Sequence, residues 1–327
     1  MAQGRVQKGR PSEDREETAP RASASEPGAR GKRPRVGLMI KRSAWRIYLE
    51  ERPDPKLVRL VEEHDETVEP MRASHEEHES TVREVKEALA AIDAEVAFLR
   101  RTGESFDAAG LDLVITVGGD GTLLSASHHV DEVPILAINS APSHSVGFFC
   151  GATRGEAQKA ISAAMRGTLR RTVLTRMQVR LNGEVIAARV LNDALFCHVS
   201  PAATSRYRLQ LGDVEEQQKS SGFWIGPAAG STAAQRSAGG RVLPLTSRQL
   251  QLVAREPYTP HSESYELRHA LIPPGKALHV RSKMHDGKLF IDGPDSAFDI
   301  GFGDALEFTQ APQSLTVLGI SSRRKWG

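Results

Sequence analysis

One short stretch of the sequence places three glycines, a carboxylate and a hydroxyl together after an apolar run. The stretch is GGDGT, formed by Gly118, Gly119, Asp120, Gly121 and Thr122. Glycines let backbone N–H groups approach an anion closely, and a following helix N-terminus adds partial positive charge. Such a turn suits a phosphate group. A carboxylate would repel phosphate, so we expect Asp120 to hold Mg²⁺ or to accept a proton from a hydroxyl nucleophile, as in phosphoryl transfer to an alcohol.

A purely structural interpretation is that Asp120 or Thr122 caps the following helix. A cap does not require three glycines, so we favour the functional interpretation. The stretch is not a Walker loop, because no Lys-Ser/Thr pair follows a spaced glycine pair. It also lacks the G-x-G-x-x-G pattern of dinucleotide-binding turns.

Two further polar features stand out. The stretch GPAAGSTAAQRSAGG, residues 226–240, predicts a short helix start at Ser231 and Thr232 with hydroxyls free for capping or for a ligand. In LNDALF, Asn192 and Asp193 interrupt an apolar strand, either as turn formers or as groups presented to a ribose or base. Two glycine-rich turns on two domains can face each other across a cleft.

The elements around GGDGT alternate between strand and helix patterns. We predict strands at 35–40, 94–100, 111–117 and 133–139, and helices at 74–91, from about 121, and at 155–166. Ser74 with Glu77 forms a capping-box signature for the first helix. The alternation indicates a Rossmann-like parallel sheet covered on both faces. Ligands bind beyond the carboxyl ends of such strands, which is where GGDGT falls.

After about Thr168 the pattern becomes that of an antiparallel β-sandwich. Asn182-Gly183 predicts a two-residue hairpin, and Asp292-Gly293 is interpreted as another hairpin turn. Further strands are predicted at 207–211, 222–226, 249–254, 277–282 and 288–292. The fold class is therefore α/β plus all-β, with an α/β domain at 35–168 and a β-sandwich at 169–314. An apolar stretch in the segment 315–327 is expected to return to the first domain.

Composition narrows the function classes. The chain has 327 residues, which suits two domains, and a net charge of +2 from 43 basic and 41 acidic residues. This balance does not favour nucleic acid as a partner, and no apolar run reaches the roughly 18 residues of a membrane span. Residues 1–34 predict a disordered tail, with a transit peptide as an alternative that its acidic residues disfavour. We expect a cytoplasmic protein.

The cysteines and three of the histidines have structural interpretations. Cys150 and Cys197 form no metal-binding spacing and are expected to be reduced, small apolar residues. His64, His75 and His78 lie in an acidic stretch that is interpreted as a solvated helix start, because a zinc site needs more ligands. His261, in PYTPHS, is likewise interpreted as structural.

Taken together, these stretches resemble the NAD kinase family, most closely its mitochondrial-type branch. The match lies in order and spacing over most of residues 35–320: GGDGT, then AIN with VGFF after it, then ND, then GSTAAQRSAGG. The long loop INSAPSHSVGFFC and the stretch QQKSSG are typical of that branch. A GGDG turn alone also occurs in lipid kinases and phosphofructokinases, whereas the set is specific.

The resemblance implies a site between the two domains, where the γ-phosphoryl group of ATP passes to the 2′-hydroxyl of the adenosine ribose of NAD, with Mg²⁺ present. It implies a homodimer or homotetramer in which a neighbouring subunit completes the site. The implied residues are Asp120 as the catalytic group that orients or deprotonates the hydroxyl, Gly118, Gly119 and Gly121 facing phosphates with Thr122 nearby, Asn139, Phe148 near adenine, Asn192 and Asp193 at the nucleoside of NAD, and Ser231, Thr232 and Ala233 along the adenine-side pocket.

The sequence departs from the family pattern at four places. Ser221 replaces a common Asp, Pro227-Ala228-Ala229 replaces Thr-Pro-Thr, Asp193 replaces Glu, and Ala234 replaces an aromatic residue. Each change removes a contact to the dinucleotide, so acceptance of NAD, NADH or both stays open. The alternatives are a lipid or sugar kinase of the same superfamily and a catalytically weak dinucleotide-binding regulator.

Overall fold

The computed structural model describes residues 33–99, 108–259 and 264–321. Nearly all of the predicted tail, as well as His261 and residues 322–327, lies outside these ranges. The helices are α1 (Pro55–Glu62), α2 (Glu69–Ala91), α3 (Asp120–Ser127), α4 (Ala157–Met165) and α5 (Ala234–Ser237). The first strands are β1 (Arg35–Ile40), β2 (Glu95–Leu99), β3 (Leu113–Gly118), β4 (Ile135–Asn139), β5 (Ala152–Thr153) and β6 (Arg171–Leu174). Among the described residues, no helix has the length and apolar character needed to cross a membrane.

The remaining strands are β7 (Met177–Leu181), β8 (Glu184–Val190), β9 (Ala194–His198), β10 (Ser205–Leu211), β11 (Val214–Ser220), β12 (Phe223–Pro227), β13 (Leu250–Ala254), β14 (His269–Ile272), β15 (Leu278–Ser282), β16 (Gly287–Ile291), β17 (Ala297–Ile300), β18 (Ala305–Gln310) and β19 (Leu315–Leu318). Short 3₁₀ turns cover Glu66–Val68, Ala228–Thr232 and Glu266–Arg268, and a π-helical segment covers Arg46–Glu51.

The first sheet has the strand order β2-β1-β3-β4-β19-β6, with β5 beside β4. Its strands pair in parallel except at β6, which runs antiparallel to β19. Every residue of β3 and β4 is buried, as expected for central strands of a sheet covered on both faces. The late strand β19 lies between β4 and β6, where its apolar residues Leu315 and Val317 are buried.

The second half forms two six-stranded antiparallel sheets, with orders β11-β10-β15-β18-β7-β8 and β14-β13-β12-β9-β16-β17. Between them, an aromatic cluster packs at ring distances of 5.1–6.1 Å, and its members are Phe196, Tyr207, Phe223 and Phe308. The hairpin predicted at Asn182-Gly183 is confirmed, since both residues have positive φ angles of 51° and 89°. The predicted fold class, α/β plus β-sandwich, is therefore confirmed.

The start of α2 differs from the prediction. The helix begins at Glu69 and has Pro70 in its first turn, so Ser74 lies inside the helix and not at a cap. Proline is favoured at a first helical turn because its φ angle is preset and its missing N–H is not needed there. The preceding 3₁₀ turn is capped instead by Asp65, whose carboxylate accepts from Thr67 N at 2.8 Å.

The interpretation of His75 and His78 as a solvated helix start is wrong. His78 is only 2% exposed, and its Nδ1 lies 2.8 Å from Ser140 Oγ in the loop after β4. His75 Nδ1 lies 2.8 Å from Ser43 Oγ in the segment after β1, and its ring stacks on Trp45. One face of α2 therefore covers the carboxyl ends of these two strands. Glu77 also contacts the loop after β4, because it accepts from Ser143 Oγ at 3.2 Å, whereas Glu76 is exposed. His64 is exposed, as expected.

We expect the burial of His78 to reduce stability in acid. Burial lowers the pKa of His78 to about 4 in the folded protein, against 6.5 ordinarily. As the pH falls, the unfolded chain therefore binds this proton first, which costs at most about 3 kcal/mol by pH 4. Urea midpoints at about pH 7 and about pH 4.5 measure the effect. His78→Gln should lose less stability than wild type over this interval, and the half-exposed His279→Gln should match wild type. Equal losses in wild type and His78→Gln would contradict the assignment.

Candidate active site

The GGDGT turn lies at the carboxyl end of β3, as predicted. The strand ends at Gly118, Gly119 is the N-cap, and α3 begins at Asp120 without any side-chain cap. The capping interpretation of Asp120 and Thr122 is therefore wrong. A Cβ on Gly118 would lie 2.1 Å from Thr122 Oγ1, whereas a Cβ on Gly121 would meet nothing within 4 Å. The first glycine is required by close packing inside the turn, and the last leaves open space beside it.

The Asp120 carboxylate is fixed by the loop between β4 and β5, residues 140–151. Its Oδ2 accepts from Phe148 N at 2.9 Å, and its Oδ1 accepts from Phe149 N at 2.8 Å. Each oxygen keeps a second lone-pair site, so the carboxylate can still accept a proton or contact a cation. Two backbone amides thus orient Asp120 without consuming its capacity to react.

Asn139 and Phe148 have different places around this carboxylate. Asn139 ends β4 and is buried, and its Nδ2 donates to Ser145 O at 2.8 Å. It therefore holds the loop that orients Asp120. Phe148 is 53% exposed on the same loop. Its ring is available as an apolar face for a flat ligand next to Asp120.

Asn192 and Asp193 form a second group, organised by a residue whose role sequence reasoning missed. The side chain of Asp292 is only 1% exposed, and its carboxylate accepts from the backbone N–H groups of Leu191, Asn192 and Asp193 at 2.7–2.9 Å. The predicted turn at Asp292-Gly293 does form, with φ angles of 51° and 124°. The Asp-Gly pair after an apolar strand signalled the turn, but nothing local signalled the three remote amides.

The two groups are joined through α3. His128, the C-cap of α3, lies with its Nε2 2.7 Å from Asp292 Oδ2. Asp120 begins the same helix, which has eight residues and so extends about 12 Å. A short rigid element therefore sets the separation between the Asp120 carboxylate and the backbone of Asn192 and Asp193.

Asp193 has an unusual protonation equilibrium. Burial, with the negative charge of Asp292 as the second cause, raises the pKa of Asp193 to about 7. Its Oδ2 accepts from Asn192 Nδ2 at 2.9 Å. Near neutral pH the group therefore exists in both forms, and it can donate to or accept from a ligand hydroxyl.

The second glycine cluster packs directly on this backbone. A Cβ on Gly230 would lie 1.7 Å from Asn192 O, so only glycine fits there. Gln235 Nε2 also donates to Asn192 O, at 3.5 Å. The cluster thus supports Asn192 from behind.

The three predicted residues of the cluster are placed differently from one another. The Ser231 hydroxyl is buried, donates to Ala228 O at 2.8 Å and accepts from Leu243 N at 3.0 Å. It is not free, contrary to the expectation from sequence. Thr232 is partly buried and Ala233 is exposed, so these two residues remain accessible to a ligand.

The protein offers Mg²⁺ only a partial coordination shell. No group of three or more His, Cys, Asp or Glu side chains able to hold a metal occurs in the part of the chain that the structure describes. Mg²⁺ is commonly bound by one or two carboxylates together with substrate phosphates and water. Asp120, with one lone-pair site free on each oxygen, fits the role of that carboxylate.

Comparisons of sequence agree with this architecture. A model of the ATP-NAD kinase N-terminal domain matches residues 50–169. A probable NADH kinase of Oryza sativa subsp. japonica is 33% identical over 263 residues, covering 74% of this chain and 81% of the rice protein. An NADH kinase of Arabidopsis thaliana is 32% identical over 273 residues, covering 76% and 86%.

Two solved structures share the fold. An NAD kinase from Archaeoglobus fulgidus in complex with ATP matches with a TM-score of 0.64 at 18% identity, over 89% of this chain and 95% of that one. Yeast NADH kinase complexed with NADH matches with a TM-score of 0.66 at 15% identity, over 90% and 86%. With the sequence relatives, these matches lead to one conclusion: the chain belongs to the NAD kinase family of phosphotransferases.

Proposed function

We propose that the protein transfers the γ-phosphoryl group of ATP to the 2′-hydroxyl of the adenosine ribose of NAD and NADH, giving NADP and NADPH. The observation that carries the proposal is Asp120, a carboxylate oriented by two loop amides at the junction of β3 and α3. The relatives named NADH kinase support the reduced dinucleotide as a substrate. The archaeal NAD kinase solved in complex with ATP supports ATP as the donor.

In the proposed mechanism, the oxygen of the 2′-hydroxyl attacks the γ-phosphorus while Asp120 accepts the proton of that hydroxyl. The bond between the γ-phosphorus and the bridging oxygen breaks, and ADP leaves with its electrons. The N–H groups of the GGDGT turn and the partial positive charge at the N-terminus of α3 stabilise the bound phosphate groups of ATP. Asp120 would help to hold Mg²⁺ that arrives with ATP, and the bound cation would supply positive charge to offset the charge on the phosphate oxygens. Asn192 and Asp193 hydrogen-bond the nucleoside of the dinucleotide, and Phe148 packs against its adenine.

The direct test is an assay of the full-length protein with ATP and Mg²⁺, supplied with NAD or NADH in turn. Formation of NADP or NADPH, detected with dehydrogenases specific for each product, would support the proposal. The ratio of the kcat/KM values would then rank the two dinucleotides. Dinucleotide binding without product would favour the regulator, and phosphorylation of a lipid or sugar alone would favour the other kinases of the superfamily. Family membership argues against this last outcome.

We expect Asp292→Asn to weaken dinucleotide binding. The carboxylate of Asp292 now accepts from backbone N–H groups and lies against His128. The side-chain amide of the variant would turn an N–H donor toward one of these partners, so the Asn192–Asp193 backbone should shift. A loss of about 1.4 kcal/mol of binding free energy would raise the KM for the dinucleotide about ten-fold. We expect a smaller change in kcat. Steady-state kinetics with Asp299→Asn as control test this, because the side chain of Asp299 is 91% exposed. Unaltered KM in a stable Asp292→Asn variant would contradict it.

We also propose that the protein is a homodimer or homotetramer and that it is located in the cytoplasm. Sedimentation of the purified protein measures the first. Fractionation of cells that express the full-length chain measures the second.

A further inference from the structure

A second concave region lies beside β6, away from Asp120. Two neighbouring cavities of about 500 and 460 Å³ form it, and both are lined by Arg248 and Ser314. We call the region the cationic groove. In the first sheet, β4 and β19 separate β6 from the strand that carries GGDGT. At about 4.8 Å per strand, the groove is at least about 14 Å from that strand.

The charged side chains that line the cationic groove are all positive. The cations that line it are Arg170, Arg171, Arg248 and Lys276. None of the described lining residues is Asp or Glu. Within the described ranges, no ion pair involves Arg171, Arg248 or Lys276. Arg171, Arg248 and Lys276 therefore focus a positive potential into a concave surface, which attracts anions.

Another cavity shows that this arrangement is not the general rule for the protein. On the outer face of the β-sandwich, Arg180, Arg208 and Arg281 line a cavity of about 340 Å³ together with Glu307. Glu307 pairs with Arg180 at 3.7 Å, and Glu215 pairs with Arg208 at 3.2 Å. Two of the three arginines there are paired with carboxylates of the protein, so this cavity provides a matched comparison.

We propose that the cationic groove binds a small molecule carrying two or more linked phosphate groups, at a site distinct from the one built around Asp120. Two adjacent cavities that share Arg248 and Ser314 offer successive positions for linked phosphate groups. A guanidinium group can donate two parallel hydrogen bonds to the oxygens of one phosphate. Thr246 and Ser314 add hydroxyl donors along the walls. The volumes fall in the range of small-molecule sites. A net charge of only +2 for the whole chain does not favour nucleic acid as the occupant.

The test compares two double variants of the full-length protein with wild type. Arg171→Ser with Arg248→Ser removes two charges from the cationic groove, and Arg208→Ser with Arg281→Ser removes two from the comparison cavity. Inorganic tripolyphosphate and ADP are titrated separately by calorimetry, so that a free phosphate chain and a nucleotide are distinguished. A short single-stranded DNA forms a third arm.

We expect the groove variant alone to lose one binding event, with affinity for tripolyphosphate or ADP reduced at least about ten-fold. Its thermal midpoint and its KM values for ATP and dinucleotide should stay those of wild type. These KM values also separate failure of this proposal from failure of the proposed kinase activity. Identical titrations for wild type and the groove variant would overturn the inference. So would equal losses in both double variants, or binding of DNA alone.

Discussion

Replacing Asp120 by asparagine is expected to lower kcat by at least about 10²-fold with little change in the affinity for NAD. Asparagine has nearly the same shape but cannot accept the proton of the 2′-hydroxyl. It also presents an N–H group to one of the two amides, Phe148 N or Phe149 N, that now donate to the carboxylate. The variant therefore lacks the proton acceptor, and its side chain is held less firmly by the loop amides than the carboxylate is.

Steady-state turnover and calorimetric NAD binding separate these effects. Asp213→Asn is a suitable control, because Asp213 is exposed in the tight turn between β10 and β11. A further variant, Phe148→Ala, keeps the carboxylate and the backbone amides but removes the exposed ring. It should raise the KM for the dinucleotide more than it lowers kcat. Wild-type turnover by a folded Asp120→Asn protein would refute the catalytic assignment.

Replacing Arg176 by methionine is expected to reduce the free energy of unfolding by about 3–5 kcal/mol. Arg176 lies in the short connection from β6 to β7, and it is fully buried. Its guanidinium donates to five backbone carbonyls, at 2.7–3.4 Å, which belong to Ser127, Val130, Asp131, Gln313 and Ser314. Burial lowers the pKa of Arg176 to about 10, so the group is still charged at neutral pH. Methionine fills much of the space but leaves these carbonyls without a donor.

Urea denaturation measures this loss. Arg180→Met is the matched control, because Arg180 lies on the outer face of the β-sandwich and should change stability by at most about 1 kcal/mol. Arg176→Lys keeps the charge with fewer donors and should fall between the two. Equal midpoints for Arg176→Met and Arg180→Met would show that the carbonyl contacts do not stabilise the fold. A stable variant would also be expected to lose activity, since Arg176 holds the C-terminal end of the helix that Asp120 begins.

Local patterns in the sequence were sufficient for most of the sheet strands and for the central motif, but not for α1 or for the start of α2. Gly118 to Thr122 follow a largely apolar run, so a strand end and a helix start were predictable there from residues next to one another. The hairpin at Asn182-Gly183 was predictable because positive φ angles are a property of those two residues themselves. The family resemblance rested on the same kind of contiguous stretch.

Contacts between distant residues could not be obtained that way. Asp292 meets the amides of 191–193 from about 100 positions away, and His128 meets Asp292 across 164 positions. His78 is buried because α2 packs over the loops after β1 and β4, a fact that its acidic neighbours in sequence conceal. The sequence determined which residues form the GGDGT turn and the strands around it, because backbone preferences and periodicity are local. Only the tertiary structure decided which buried charges and amides meet, because a hydrogen bond to a remote backbone leaves no periodic trace along the chain.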